Sequence, residues 1–171
     1  MAYFGGFEGE LFDAFMTVAK GSENVNFFHA PSDCAAPHGA SAHGVSLFRD
    51  FDNSPVHFDA SHNFEALNTF LEASSVPTLI TFSEDYIEAI FGKARTTVIL
   101  FTNEPEAAYN AVWAEAASAL KGDVLFVVSG TKDGIQNRLA EFVGVENDMT
   151  PTIRLLVPGD EMAKFLYPHS A

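Results

Sequence analysis

The chain has 171 residues, 47% of them apolar and 19% charged, with a net charge of −14. That length holds one ordinary domain or two small ones, 17 phenylalanines supply ample core, and the composition excludes a disordered chain. Acid exceeds base in both halves, 10 against 2 side chains over residues 1–75 and 13 against 7 over 76–171, so a uniformly negative field repels phosphate and no Lys/Arg cluster holds an anionic membrane.

Strand and helix signals alternate along the chain. Ala2–Phe7 is short, apolar and glycine-punctuated. Glu10–Lys20 follows with Leu11, Phe12, Phe15, Met16 and Ala19 at helical spacing, and Gly21 ends it. Val25–His29 reads as a strand. Pro31, Pro37, Gly39 and Gly44 break residues 30–44 into a loop with a short helical turn. Val45–Phe51 and Pro55–Asp59 read as a hairpin around Asp52-Asn53-Ser54, and Phe64, Leu67, Phe70 and Leu71 form one face of a helix ending near Ser74.

Val76-Pro77 opens a second round. Thr78–Phe82 is a strand, and Ser83 caps a short helix ending at Gly92. Thr96–Phe101 is a strand of the continuous apolar kind. Pro105 starts a helix with Tyr109, Val112, Trp113, Ala116 and Leu120 as its inner stripe, stopped by Gly122. Val124–Val128 is a buried strand. Ile135, Leu139, Phe142 and Val143 are the core face of a helix stopped by Gly144, and Pro151–Val157 and Met162–Tyr167 are strands. Each half thus reads as a βαβ opening followed by a hairpin, an α/β mixed sheet flanked by helices. No helix closes the second half before Ser170-Ala171.

Several segments resemble the protein disulfide isomerase family. Gly44-Val45-Ser46-Leu47-Phe48-Arg49-Asp50-Phe51-Asp52 resembles the Val-x-Leu-Phe-Lys-x-Phe-Asp strand of its first non-catalytic domain. Phe70–Phe91, with Val76-Pro77 and Ile90-Phe91-Gly92, resembles the junction into its second. Leu120-Lys121-Gly122-Asp123-Val124-Leu125-Phe126, Pro151-Thr152-Ile153-Arg154-Leu155 and Met162-Ala163-Lys164-Phe165 resemble later family segments, in order. The Ala- and His-rich loop 30–44 departs from the family's polar helix. The resemblance implies two tandem thioredoxin-like domains, residues 1–75 and 76–171, the second lacking its final helix. It also implies the endoplasmic reticulum lumen, a parent chain with catalytic thioredoxin domains as partners, unfolded or partly folded polypeptides as clients, and no cofactor. Met1-Ala2-Tyr3-Phe4-Gly5 lacks the basic start of a signal peptide, so an internal fragment or a cytosolic protein is expected from the residues themselves.

By position in that family, Phe82, Ile90, Phe91, Ile99, Phe126, Leu139, Phe142 and Met162 are expected to line an apolar client-binding cleft. Apolar contact is non-directional and tolerates many sequences. The alternative is ordinary core. Thr150-Pro151-Thr152 is where the fold would place a cis-proline, against a trans proline at a strand start. Cys34 is the one cysteine, with no Cys-x-x-Cys and no resolving partner, so the chain alone is not expected to turn over disulfides. His29, Cys34, His38 and His43 are of zinc-ligand type but fit no compact zinc spacing. A calsequestrin-like calcium-binding role is the competing function, against which stands the lack of a dense acidic run at Tyr167-Pro168-His169-Ser170-Ala171.

Overall fold

Successive side chains of a strand point to opposite sides of its sheet, and Ala2-Tyr3-Phe4 uses that alternation to set two unlike faces. The computed structural model describes residues 1–92, 95–104, 106–159 and 162–167. The chain divides into two compact units, Met1–Pro77 and Thr78–Ala171. The first contains β1 (Ala2–Phe4), α1 (Glu10–Gly21), β2 (Phe28–Ala30), β3 (Gly44–Leu47), β4 (Val56–His57) and α2 (Phe64–Ser74). Its sheet runs β2-β1-β3-β4, with β1 and β2 parallel and the other pairs antiparallel.

Tyr3, Val45 and Leu47 point to the face that α1 and α2 cover. There they meet Leu11, Phe15 and Val18 of α1, Leu67 and Leu71 of α2, and Phe58. Leu11, Ala14, Phe15 and Val18 recur at helical spacing and are all buried. Asn63 starts α2, its Oδ1 accepting from the Ala66 N–H at 2.9 Å. Phe64, expected on the inner face, lies in the first turn and is exposed. Ala2 and Phe4 point to the opposite face, where the two 3-10 turns Ser32–Cys34 and Ala36–His38 bring Ala35 against them. The strand expected to run to Phe51 stops at Leu47. Beyond it Arg49 organises the loop: Nε and a terminal nitrogen donate to Asn53 O at 3.2 and 3.0 Å, and the other terminal nitrogen donates to Ser74 O at 2.9 Å. Ser54–Pro55 is a cis peptide bond.

The second unit contains β5 (Leu79–Thr81), a helical segment of a 3-10 turn (Glu84–Tyr86) and a π turn (Glu88–Gly92), then β6 (Thr97–Phe101), α3 (Tyr109–Ala119), β7 (Leu125–Ser129), α4 (Gly134–Val143), β8 (Thr152–Val157) and β9 (Ala163–Leu166). Its sheet runs β5-β7-β6-β8-β9, parallel from β5 to β6 and antiparallel beyond. Its last four strands, β7-β6-β8-β9, repeat the plan of β2-β1-β3-β4. The halves are therefore one plan displaced by a strand. The second unit has β5 and residues 84–92 ahead of that plan, and the first has α2 behind it; no helix follows β9 among the described residues.

Two expectations about α3 need correction. Val112 and Leu120 are exposed, and Ala117 is its one fully buried residue. The inward stripe passes through Tyr109, Trp113 and Ala117, a four-residue step that keeps one helix face on the sheet. The expected start at Pro105 lies outside the described residues. No helix among the described residues is long and apolar enough to cross a membrane.

Candidate functional site

The segment 84–92 and α4 lie side by side in the second unit and leave an apolar cleft of about 270 Å³, lined by Phe82, Ile87, Phe91, Ile135, Arg138, Leu139 and Phe142. Phe82 and Leu139 are buried and make its floor. Phe142 is 47% exposed and Ile87 37% exposed, so apolar surface remains at the mouth. The Phe91 and Phe142 rings meet edge to face at 5.9 Å, an arrangement that suits the ring quadrupoles. Lys164 Nζ lies 3.6 Å from the Phe142 ring centroid and donates to Phe142 O at 2.8 Å, which fixes that ring. Beside the cleft a second hollow, about 380 Å³, is lined by Phe91, Gly92, Pro158, Gly159 and Met162.

Five of the eight residues expected to line one cleft thus fall on these two hollows: Phe82, Phe91, Leu139 and Phe142 on the first, Met162 on the second, with Phe91 shared. The other three line neither. Ile90 turns inward from the segment 84–92 and is buried. Ile99 has no exposed surface at the centre of β6, between Val127 and Arg154 in the sheet. Phe126 is in register with Leu79 and Val98 and packs on Trp113 of α3, ring centroids 4.9 Å apart. Strand alternation puts it on the other side of the sheet from Ile99 and Val127. Ile87, Ile135 and Arg138 were not expected. Their signal was present: Ile87 is four residues before Phe91, and Ile135, Arg138, Leu139 and Phe142 follow helical spacing on α4.

The sheet ends show what fills the neighbourhood of Pro151. Thr150–Pro151 is a cis peptide bond directly before β8. Asn103 Nδ2 donates to Thr131 Oγ1 and Asn147 Oδ1 at 2.9 Å and to Thr150 Oγ1 at 3.3 Å, and Thr131 Oγ1 donates to Asn147 Oδ1 at 2.8 Å. These groups satisfy one another in a closed network of amides and hydroxyls.

A family model described as a thioredoxin-like domain matches residues 4–170. The chain belongs to the thioredoxin-like domain family. Its curated relatives include protein disulfide-isomerases from Drosophila melanogaster, 28% identical over 170 residues, and Oryctolagus cuniculus, 26% identical over 170. Each match covers 96% of this chain but only 34% and 33% of those proteins, so the chain spans about a third of their length. Among solved structures, the bb fragment of ERp72 aligns with a TM-score of 0.53 at 12% identity, over 99% of this chain and 82% of that one. The zinc-bound form of human ERp44 aligns with a TM-score of 0.55 at 13% identity, over 90% of this chain and 45% of that one. At such identities these likenesses speak for the fold.

Within this thioredoxin-like chain no sulfur pair exists to carry redox chemistry: Cys34 is the single cysteine, exposed on the first 3-10 turn. The four residues of zinc-ligand type do not assemble. His29 Nε2 is 2.9 Å from Gly5 O and its ring stacks on Tyr3, while His38 meets the edge of Phe48. His43 sits at a positive φ in the turn before β3. Among the described residues no group of three or more His, Cys, Asp or Glu is placed to hold a metal ion.

Arg154 supports the cleft wall from beneath. It is buried on β8, and burial pushes its pKa below the usual arginine value. Its guanidinium donates to Val143 O at 3.4 Å and Gly144 O at 3.2 Å, capping the carbonyl end of α4, and to Thr152 Oγ1 and Ile153 O. Arg154→Met keeps the volume but orphans those carbonyls, and is expected to cost the second unit about 2 kcal/mol. Denaturant unfolding followed by Trp113 fluorescence measures it; a cost under about 0.5 kcal/mol would show that water caps the helix equally well.

Proposed function

We propose that this chain is a non-catalytic, substrate-binding portion of a protein disulfide isomerase, and that its second unit holds unfolded polypeptides in the cleft between residues 84–92 and α4. The observation that carries this reading is apolar surface left open at the mouth of a formed cleft, Phe142 and Ile87 above Phe82 and Leu139. An unfolded client exposes the side chains such a cleft buries, and contact without directionality accepts many sequences. Arg138 on the rim adds donors for a client's main-chain carbonyls. The catalytic thioredoxin domains belong to the longer parent, where the resemblance points to the endoplasmic reticulum lumen and to oxidative folding.

Phe142→Asp tests it. The side chain is half exposed, so the fold tolerates the change, but a carboxylate at the mouth repels apolar surface. Affinity for a fluorescein-labelled apolar peptide and for reduced, alkylated ribonuclease is expected to fall about tenfold or more, with the circular dichroism spectrum unchanged. Equal binding by the variant, or no binding by the parent chain, counts against the proposal.

A further inference from the structure

The cleft of the second unit and the hollow beside it are two seats divided by one ring. Phe91 lines both and is the residue they share. The cleft adds Phe82, Leu139 and Phe142 to it, and the hollow adds Pro158 and Met162. The other two residues of the hollow, Gly92 and Gly159, bring no side chain, so its walls are an aromatic ring, a proline ring, a half-buried thioether and bare main chain. The thioether of Met162 is unbranched and polarisable, which adapts it to visiting side chains of different shape.

The width of that partition selects the shape of an occupant. Carbon atoms pack at about 3.5–4.0 Å, so two side chains touching opposite sides of one ring stand about 7–8 Å apart. An extended chain advances about 3.3 Å per residue and turns successive side chains to opposite sides, so residues i and i+2 face the same way about 6.7 Å apart. Neighbours i and i+1 point apart, as do i and i+3. A helix brings the side chains of i, i+3 and i+4 to about 5–6 Å, too close to straddle a ring. An extended chain also leaves main-chain carbonyls unpaired, and Arg138 stands exposed at the rim of the cleft to donate to them.

We propose that the second unit reads alternate residues of an extended client, one apolar side chain entering the cleft and a second, two residues away, entering the hollow of Phe91 and Met162. This second seat rests on the reading of the cleft given above and adds a substrate class to it: segments with apolar residues at i and i+2. Such alternation is the mark of a half-buried β-strand. The preferred clients are therefore polypeptides whose strands have yet to find their sheet.

The test uses the whole chain and uncharged peptides that compete with the fluorescein-labelled apolar peptide in fluorescence polarisation. The host is acetyl-Gly-Ser-Phe-Ser-Ser-Ser-Ser-Gly-amide. In its relatives leucine replaces the serine one, two, three or four residues after the phenylalanine, and a further peptide carries the i, i+2 pair in reverse order. In at least one order the i, i+2 pair is expected to compete about tenfold better than the host, with the other spacings within about threefold of the host. Met162→Asp is expected to abolish the advantage of the i, i+2 pair over the host. The second seat is overturned if spacing has no effect, if the i+3 or i+4 pair competes best, as a helical occupant would, or if the advantage survives Met162→Asp. In each of those cases competition by the host leaves the cleft reading standing, whereas failure of the labelled peptide to bind the chain at all removes cleft and second seat together. A dimer seen in sedimentation velocity without peptide and lost with Met162→Asp also overturns it, because a second copy then fills the hollow.

Discussion

Phe126→Asp is expected to unfold the second unit. The ring is 5% exposed on the interior strand β7, tilted against Trp113 at 4.9 Å and in register with Leu79 and Val98. Removing it forfeits about 3–5 kcal/mol of burial and packing. The carboxylate left behind must be desolvated or neutralised at a further cost of several kcal/mol. Together these fall within the roughly 5–15 kcal/mol that holds a domain folded. Trp113 is the only tryptophan, so its emission should shift to that of a solvated indole, and the second unit's share of the circular dichroism should disappear. Client binding would vanish as well, but by loss of the fold. Comparison with Phe142→Asp separates the two causes, since that variant keeps its spectrum. A folded Phe126→Asp protein with native Trp113 emission would refute the core position assigned to Phe126.

Phe15→Ala is expected to cost the first unit about 4 kcal/mol. Phe15 is buried in α1, tilted against Tyr3 at 5.6 Å and edge-on to Phe27 at 5.6 Å. It joins the helix to the one sheet face that both α1 and α2 cover. The change leaves a cavity that a sheet and two helices cannot close by small shifts. Hydrogen exchange read by mass spectrometry reports the result locally. Amides of β1, β3 and α1 should exchange about a thousandfold faster, the factor that 4 kcal/mol implies. An acceleration of less than about tenfold would mean that Phe15 is not a keystone of that core.

Much of this was legible in the residues. The alternation of apolar strands and amphipathic helices located each strand of the described residues along the chain, because burial on both faces of a parallel strand demands the continuous runs seen at Thr97–Phe101 and Leu125–Ser129. Gly144 stops α4 as expected, at φ 70, a conformation that a glycine enters without the clash other residues suffer. The misplaced residues share one cause. Val112 and Leu120 both have helical spacing and both are apolar, yet each faces outward, since spacing defines a stripe without saying which edge of it meets a neighbour. Phe126 and Ile99 both belong to buried strands, and only the register of the sheet separates the side that meets α3 from the side that meets α4.

By itself the sequence determined the order of elements, the mixed sheets, the resemblance to non-catalytic thioredoxin-like domains and the lack of a cysteine pair, because periodicity, turn residues and composition are local properties. Only the tertiary structure decided which apolar residues stay in reach of solvent. It brought Ile87 and Phe91 beside Ile135 and Phe142 and sealed Ile90 and Ile99 beneath. The reason is that exposure depends on what stands across the gap, and residues far apart along a chain become neighbours only when the sheet order is set.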